Sequence, residues 1–429
     1  MSYKTYDGYK DSYIDWIDLI PNHWHPYKLK HVVSEFVAGG TPKSSNDSFW
    51  SEDNNGIPWV AIGDMSENEY VNSTTKSITH EGLADKNLRI LKKGTLIYSI
   101  FASLGKTAIL NIDATTNQAI LGLITTNKID DYYLKYYLNA LQTTISSFSN
   151  ENTQENLNTN IVKNMEIAIP IGLKEQKQMA NFLDKKIAKI EETITKNQQL
   201  IQLLEEKRIA LINLVVTKGL NPDVPLKDSG VEWIGEIPEH WNIIKLKNCS
   251  NIINDKKDFA DETDKYVGLE HIESETGKLL NYSIEGADGT VNKFKKDMVL
   301  FGKLRPYLAK VINTSFEGVC STELLVFKTD KSLISKYLFY FMLSNRFIEQ
   351  VNSSTYGVKM PRASPDFINN LTIAFPSTLE QKNIVNYLDS KITKINIIIS
   401  KIKENIAFLE EYITSLIYHV VTGKIKVSD

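Results

Sequence analysis

Two stretches of the chain repeat apolar residues with a period of seven, as the a and d positions of a coiled coil do. In the first stretch the a positions are Ala180, Ile187, Ile194, Ile201, Arg208 and Val215, and the d positions are Leu183, Ile190, Asn197, Leu204 and Leu211. In the second stretch the a positions are Val385, Ile392, Ile399, Ile406, Ile413 and Val420, and the d positions are Leu388, Ile395, Ile402, Leu409 and Leu416. The pattern predicts two long helices. Their predicted seam comprises Ile187, Ile190, Ile194, Ile201, Leu204, Ile392, Ile395, Ile399, Ile406 and Leu409.

Start and stop signals agree with these helices. Ser377 and Glu380 have the spacing of a capping box, and Gly219 and Gly423 follow the last heptads. Each predicted helix spans about 45 residues, which is about 65 Å of helix. Because each helix has one apolar stripe, its simplest partner is the other helix, in an antiparallel pair with a globular unit at each end. The alternative is that each helix packs on its own domain or on another protein.

Asn197 and Arg208 interrupt the apolar seam of the first helix only. One buried polar residue often sets the register or the partner of a coiled coil. The alternative for Arg208 is that its long side chain reaches out of the seam to solvent.

The sequence around these helices occurs twice. DWIDLIPNHW at 15–24 matches EWIGEIPEHW at 232–241, and NFLDKKIAKI in the first helix matches NYLDSKITKI in the second. The segments 34–90 and 251–290 share almost nothing. Two long copies predict a pseudo-two-fold molecule and not a solenoid, which needs three or more short units. Similar flanking segments around dissimilar middle segments are typical of two domains that recognise different targets. Two diverging copies of a structural module would look similar.

Each copy also has the pattern of a small domain. The segments 91–110 and 294–313 each read as two strands joined by a polar loop, and 131–141 and 335–345 read as short amphipathic helices. We therefore predict an α+β fold, with two pseudo-two-fold-related α/β domains separated by a long antiparallel two-helix coiled coil. The predicted limits are 1–166 and 221–372 for the two domains, and 167–220 and 373–429 for the helical segments.

Composition is that of a globular protein with room for more than one domain. The chain has 429 residues and a formal net charge of −3, so nucleic-acid binding would have to come from local basic clusters. Its two cysteines, Cys249 and Cys320, cannot form a disulfide framework, which favours the reducing cytoplasm. The first residues lack the apolar segment of a signal peptide, and no apolar run approaches the roughly 20 residues of a membrane helix.

The sequence lacks recognisable catalytic motifs. The GKT at 105–107 resembles the end of a phosphate-binding loop, but Ile100 stands where that motif requires glycine. Dinucleotide-binding, zinc-protease and serine-hydrolase motifs are missing. So is the Asn/Asp-Pro-Pro-aromatic segment with which an adenine methyltransferase holds its flipped base. We therefore predict a protein that is not an enzyme and that binds no metal.

Polar and basic residues in the divergent middles are the candidates for binding. The first copy has GGTPKSSNDSFW at 39–50 and a strand–loop–Gly-Lys run at 94–107, and the second has GKLRPYLAK at 302–310 and YGVKMPRASPD at 356–366. Backbone N–H groups, hydroxyls and lysines suit phosphate oxygens, whereas arginine and amide side chains suit base edges. The candidates for DNA contact are Thr41, Lys43, Ser44, Ser99, Ser103, Lys106, Gln118, Lys303, Arg305, Tyr307, Lys359 and Arg362.

With these features the sequence resembles the specificity (S) subunit of type I restriction–modification enzymes. The likeness rests on the twin IP-x-HW segments, GGTPK, the run at 94–107, the twin P…EQ helix starts and the two long helices. The resemblance implies that each middle is a target recognition domain and that the two read the halves of an asymmetric, interrupted site in double-stranded DNA. It also implies a cytoplasmic chain that is not catalytic and binds no cofactor itself. Such a chain docks two modification subunits, which methylate adenine N6 with S-adenosylmethionine, and restriction subunits that use ATP and Mg²⁺.

Two other functions remain open from the sequence. One is a coiled-coil scaffold for protein interactions that does not bind DNA. The other is a stand-alone DNA methyltransferase or nuclease whose site has no recognisable motif.

Overall fold

The computed structural model describes residues 3–51, 55–65, 69–101, 103–142, 157–258, 264–282, 289–357 and 359–427. By its internal contacts the chain divides into a first unit, residues 1–196 and 405–429, and a second unit, residues 197–404. Each of the two long helices therefore contributes one half to each unit.

The elements that begin in the first unit are thirteen strands and four helices within the described ranges. The strands are β1 (Tyr9–Ile14), β2 (Ile17–Pro21), β3 (Trp24–Lys28), β4 (Val33–Ala38), β5 (Trp50–Ser51), β6 (Ile57–Val60), β7 (Tyr70–Val71), β8 (Lys76–Ile78), β9 (Leu96–Ser99), β10 (Thr107–Leu110), β11 (Thr115–Thr116), β12 (Ile120–Thr125) and β13 (Glu166–Pro170). The helices are α1 (His80–Asp85), α2 (Asp131–Leu141), α3 (Thr159–Asn164) and α4 (Leu173–Lys218).

The second unit continues the chain with a similar series. Its strands are β14 (Leu226–Asp228), β15 (Glu236–Pro238), β16 (Asn242–Lys245), β17 (Ser250–Ile253), β18 (Lys256–Lys257), β19 (Tyr266–Val267), β20 (Val291–Phe294), β21 (Val299–Gly302), β22 (Val311–Asn313), β23 (Gly318–Ser321), β24 (Leu324–Thr329) and β25 (Thr372–Phe375). Its helices are α5 (Ser335–Leu343), α6 (Asn345–Ser353), α7 (Pro365–Asn370) and α8 (Thr378–Val421).

Both units contain a pair of sheets; one sheet of each unit has the same order of four strands, β4-β12-β9-β10 and β17-β24-β21-β22, whereas the other sheets differ in strand order. The strand orders are β4-β12-β9-β10-β7 and β11-β6-β8-β5 in the first unit, and β17-β24-β21-β22 and β18-β20-β23-β19 in the second. The strand–loop–strand patterns at 91–110 and 294–313 are confirmed, since β9 pairs antiparallel with β10 and β21 with β22. The two short helices are confirmed as α2 and α5.

The central strand of each unit is apolar on both faces because it separates two cores. Leu96 and Tyr98 of β9 lie in the core that includes the long helices, whereas Ile97 lies in the core between the sheets. Phe301 and Leu300 of β21 divide in the same way. Successive strand residues point to opposite faces, so a strand buried on both sides reads as a continuous apolar run.

Within each unit the halves of the two long helices run antiparallel. In the first unit, Tyr3 packs its ring on Phe182 of α4 and its hydroxyl lies 2.8 Å from that of Tyr412 of α8. In the second unit, Arg208 Nη1 of α4 donates to Asn396 Oδ1 of α8 over 3.1 Å. The first turns of α4 share a core with the last turns of α8, and the last turns of α4 share a core with the first turns of α8. This confirms the antiparallel pair.

All ten residues of the predicted seam are buried or half-buried. Ile187, Ile392, Ile395 and Ile399 are buried, and the six others are half-buried. Arg208 is only 5% exposed, so it does not reach out to solvent. Its bond to Asn396 makes it a buried polar contact of the helix pair.

A Trp-His-Glu contact joins each domain to the start of a long helix. Trp24 Nε1 donates to Glu175 Oε1 over 3.2 Å, and His23 Nε2 lies 2.9 Å from Glu175 Oε2. In the second unit Trp241 Nε1 donates to Glu380 Oε1 over 2.9 Å, and His240 takes the place of His23. The repeated IP-x-HW segment therefore fixes each domain to the first turn of the following helix.

The residue after each of these glutamates is a fully buried glutamine that bonds three backbone groups. Gln176 Oε1 accepts from Asp130 N over 2.8 Å, and its amide donates to Lys128 O and Pro170 O. Each amide function is satisfied by main chain alone, which gives the repeated EQ dipeptide a structural role.

Each middle segment leaves and rejoins the scaffold through two adjacent strands. β3 pairs antiparallel with β13, so that Trp24 lies opposite Pro170 and Lys28 opposite Glu166. β16 pairs with β25 in the same manner. The divergent sequence is thus inserted between neighbouring strands of a shared framework.

The end of β1, where its pairing with β2 is irregular, holds a strained residue in the first copy. Tyr13 has a φ of 56° and is 87% exposed, whereas the matching turn of the second copy has Gly230 with a φ of 71°. The N–H of Tyr13 donates to Asp11 Oδ1, and that of Gly230 donates to Asp228 Oδ1. The left-handed region favours glycine because it has no Cβ.

We expect Tyr13→Gly to stabilise the protein by about 0.5–1 kcal/mol, since the relief of the left-handed backbone exceeds the entropy that glycine adds to the unfolded chain. Urea unfolding of the full-length chain measures the change. Tyr13→Ala is the control, because it removes the exposed ring and keeps the strain. Equal stability of the glycine and alanine variants would contradict this account of the turn.

Candidate nucleic-acid interface

In the first unit, three segments that contain predicted site residues lie side by side. Gly39 N donates to Ile120 O over 3.2 Å, Gly40 N donates to Thr116 O over 2.9 Å, and Ile100 N donates to Ala119 O over 2.8 Å. A Cβ on Gly39 would lie 2.1 Å from a backbone oxygen, so glycine at position 39 is required by this close approach. These bonds bring the glycine-rich loop and the β9–β10 loop together on the segment between β11 and β12.

The side chains on this surface are polar and mostly exposed. Thr41 Oγ1 bonds to Gln118 Oε1, which brings together two candidates 77 positions apart in sequence. Lys43, Ser44, Ser103 and Gln118 are exposed, and Thr41 and Lys106 are half-buried. The group offers hydroxyls, an amide and lysines, which suit phosphate oxygens and an adenine edge.

Ser99 does not fit the prediction that it contacts a ligand. Its side chain is fully buried, its hydroxyl donates to Ser103 O over 2.5 Å, and it accepts from Lys106 N over 2.9 Å. Ser99 instead closes the β9–β10 loop. Because Gly105 N donates to Ser99 O as well, several N–H groups of the GKT loop are used internally, in agreement with the exclusion of a phosphate-binding loop.

In the second unit, backbone hydrogen bonds hold the β21–β22 loop against Pro361 and Ala363. The candidates Lys359 and Arg362 lie in the same segment of the sequence. Arg305 N donates to Pro361 O over 2.8 Å, and Ala363 N donates to Lys303 O over 2.9 Å. We call residues 303–307 and 359–362 the arginine loops. The candidates that they bring together are Lys303, Arg305, Tyr307, Lys359 and Arg362.

The two arginines of these loops have different electrostatic environments. Arg362 makes a two-pronged ion pair with Glu323, Nε to Oε2 at 3.2 Å and Nη2 to Oε1 at 3.3 Å. The Glu323 carboxylate raises the pKa of the Arg362 guanidinium by hydrogen bonding and charge attraction. Arg305 is exposed, has a φ of 49°, and has no carboxylate within 4 Å among the described residues. Of these two arginines, Arg305 is therefore the one whose guanidinium is open to a ligand.

Sequence reasoning missed Glu323 and two exposed side chains on the same surface. Tyr356 is 65% exposed and lies close to the arginine loops, and Met360, which is 51% exposed, lies within them. Tyr356 and Met360 stand in the YGVKMPR segment, so their large apolar character beside Arg362 was an available signal. Glu323 follows β23 and has no motif that would have identified it.

The described residues hold no group of three or more His, Cys, Asp or Glu side chains arranged to bind a metal ion. Among the described helices none has the length and apolar character that crossing a membrane requires.

The chain is similar in sequence to known proteins over most of its length. The sequence profile of the type I restriction modification DNA specificity domain matches residues 21–202 and 238–407, which is most of the chain. The MjaVIII specificity subunit of Methanocaldococcus jannaschii is 25% identical over 432 aligned positions, covering 96% of this chain and 95% of that one. The EcoDI specificity subunit of Escherichia coli is 22% identical, and the match covers 62% of this chain and 63% of that one, less than two thirds of its length.

Solved structures are similar in fold. A chain from a study of the complex assembly and conformational transition of the type I R-M system has a TM-score of 0.69 at 13% identity, covering 95% of this chain and 99% of that chain. The HsdS subunit from Thermoanaerobacter tengcongensis has a TM-score of 0.58 at 14% identity, covering 95% and 98%.

Proposed function

The chain belongs to the type I restriction modification DNA specificity family, and from this membership we propose that its two domains read the two halves of one asymmetric, interrupted DNA site. The first domain would read one half with the surface around Thr41 and Gln118. The second would read the other half with the arginine loops. The half-sites differ because these loops differ.

The observation that carries this proposal is one scaffold with two unlike polar surfaces. Both units contain the same run of four strands, β4-β12-β9-β10 and β17-β24-β21-β22, and each run includes the central hairpin. The loop of that hairpin presents Ser103 and Lys106 in the first unit, and Lys303, Arg305 and Tyr307 in the second. A shared frame with different loop chemistry is what recognition of two different sequences requires, since side-chain type decides which base edge is bound.

We further propose that the chain is not catalytic and acts in the cytoplasm through partner subunits. Two modification subunits would bind S-adenosylmethionine and methylate adenine N6 in each half-site. Restriction subunits would use ATP and Mg²⁺. The chain itself would supply the choice of site and the docking surface, with no cofactor of its own.

Methylome sequencing tests the proposal directly. A strain that carries this chain with its modification subunits is expected to show N6-methyladenine in one split motif. Replacing residues 34–165 by the same segment of a relative is expected to change only one half of that motif. The proposal fails if no split motif appears, or if this replacement alters both halves. Duplex DNA binding that rises steeply as salt is lowered separates the proposal from a protein scaffold.

Arg305→Ala is expected to weaken binding of the second half-site by about 1–3 kcal/mol and to relax its sequence preference, as loss of a bidentate base contact does. Lys303→Ala and Arg362→Ala are expected to act on the same half-site. Competition binding with duplexes that vary one half at a time measures this effect.

The control is Lys278→Ala, which removes an exposed cation of the same unit outside the arginine loops. An Arg305 variant whose methylation pattern and half-site preference are unchanged would refute the assignment of this loop to base reading.

A further inference from the structure

The second unit has a lysine-rimmed cleft over strands β18, β20 and β23, with Ile253 at the end of β17 on its margin. It has a volume of about 760 Å³. Its floor is apolar and includes the buried side chains of Phe294, Met298 and Val319. Five lysines line it, namely Lys257, Lys265, Lys293, Lys295 and Lys296. This concentration stands out in a chain whose acidic residues outnumber its basic ones, 52 to 49.

The carboxylates in the cleft neutralise only part of this charge. Asp255, Asp264 and Glu317 are the acidic residues of its lining. Lys257 lies 2.8 Å from Asp264, and Lys293 lies 3.7 Å from Asp255, which is a long and solvent-exposed pair. Among the described residues of the lining, five lysines therefore face three carboxylates, which leaves an excess of positive charge.

The remaining lysines of the cleft have no carboxylate partner in the described residues. Lys265 Nζ lies 5.2 Å from the centre of the Tyr282 ring and 5.1 Å from that of Phe316. Lys295 and Lys296 are exposed in the turn between β20 and β21, and neither has a carboxylate within 4 Å there. Asp297 follows them in the turn but does not line the cleft. These amino groups are open to an external anion.

The first unit has a basic cleft at a different place. A cleft of about 640 Å³ follows its outer strand, β4, and Lys30, Arg89 and Lys163 line it with one carboxylate, Glu35. Arg89 is paired with Glu35. Lys163 Nζ lies 5.6 Å from the centre of the Phe36 ring. The cleft with five lysines is therefore a feature of the second unit.

We propose that this lysine-rimmed cleft binds phosphate groups of duplex DNA, at positions that carry no sequence information. Lysine is a compact, strongly hydrated point charge that binds phosphate without the planar fork needed for a base edge. Such contacts fix the register of a protein on DNA while other side chains read the bases. The inference rests on the proposed DNA-reading function and adds a backbone contact outside the arginine loops. A free nucleotide carries the same phosphate chemistry, and the experiment separates the two sources.

The test compares the triple variant Lys293→Gln/Lys295→Gln/Lys296→Gln with the wild-type chain, each in complex with its modification subunits. The control is Lys227→Gln/Lys278→Gln/Lys331→Gln, which removes the same charge from exposed lysines of the same unit that lie outside the cleft. Affinity for duplex DNA with and without the methylated motif is measured across a series of salt concentrations. Binding of ATP without Mg²⁺ is measured in parallel.

We expect the cleft variant to bind both duplexes about ten- to a hundredfold more weakly near 150 mM salt. The slope of log affinity against log salt should fall by about 2–3, because each lost phosphate contact removes roughly 0.9 from it. The preference between the two duplexes should stay the same, and the control should retain wild-type affinity and slope.

Three outcomes would overturn the inference. A cleft variant with wild-type affinity and slope refutes it and leaves the proposed function standing. A variant that loses ATP binding but keeps DNA binding assigns the cleft to a free nucleotide. A wild-type complex that does not bind duplex DNA at low salt refutes the proposed function together with this inference. An unchanged melting temperature of the cleft variant shows that its fold is intact.

Discussion

Gln381→Leu is expected to destabilise the second unit by about 3–6 kcal/mol. Gln381 is fully buried; its Oε1 accepts from Ile334 N over 2.8 Å, and its Nε2 donates to Ser332 O and Pro376 O over 3.0 Å each. Leucine has a similar volume but leaves three main-chain groups without a partner. A buried group left unpaired costs about 1–3 kcal/mol. The bond to Pro376 O is buried, whereas the bonds of Ile334 N and Ser332 O are part-buried and contribute at the lower end of that range. Urea unfolding followed by tryptophan fluorescence measures the loss.

The two copies provide an internal repetition of this experiment. Gln176→Leu should destabilise the first unit by a similar amount, since it bonds three main-chain groups in the same way. Gln199→Leu is the matched control, because that glutamine is exposed on the same long helix, α4. If the buried and exposed substitutions have equal effects, the glutamines do not join the domains to the helices as described.

Arg208→Ile is expected to leave stability unchanged or to raise it by up to about 4 kcal/mol. Arg208 is buried, bonds only the amide oxygen of Asn396 within the described chain, and its Nε has no partner there. Replacing a buried charge by a well-packed apolar side chain is often neutral or stabilising. The matching position of the second helix is Ile413, so isoleucine suits this kind of seam. The melting temperature of the full-length chain reports the change.

Substitutions of Asn396 and Lys207 test how the buried contact of Arg208 affects stability. Asn396→Leu removes the hydrogen-bond partner that Arg208 has among the described residues and should destabilise by about 1.5–3 kcal/mol, the usual value for a bond to a charged group. Lys207→Ile, one residue away and exposed, should have little effect. A strong loss of stability in Arg208→Ile would show that the guanidinium has a stabilising partner. It would contradict the interpretation that the contact only sets the register of the two helices.

The helices were predictable from sequence because their signal is long and periodic. The observed ends, Leu173–Lys218 and Thr378–Val421, fall at the capping residues and glycines that the sequence shows. The central hairpins were also predictable, since a strand buried on both faces is apolar throughout. The second sheet of each unit was not, because strands such as β5 and β19 have two residues each and are defined by long-range pairing.

The candidate site was predictable in residue type and not in detail. The sequence indicated which loops differ, and the structure brings Thr41 to Gln118 and Arg305 to Pro361. Burial is a tertiary property, so nothing local distinguished Ser99, which is buried, from Ser103, which is exposed. Likewise the partner of Arg362 lies 39 positions away at Glu323. Individual base contacts stay a prediction.

The pairing of β3 with β13, and of β16 with β25, bears on how a gene of this kind evolves. One crossover in the codons for Trp24–Lys28 and another in those for Glu166–Pro170 would replace everything between them. The ladder that receives the new segment would keep its hydrogen bonds, because main-chain groups pair whatever side chains they bear. Recombination between diverged genes can therefore create a new specificity in one generation, without a series of point mutations through inactive intermediates.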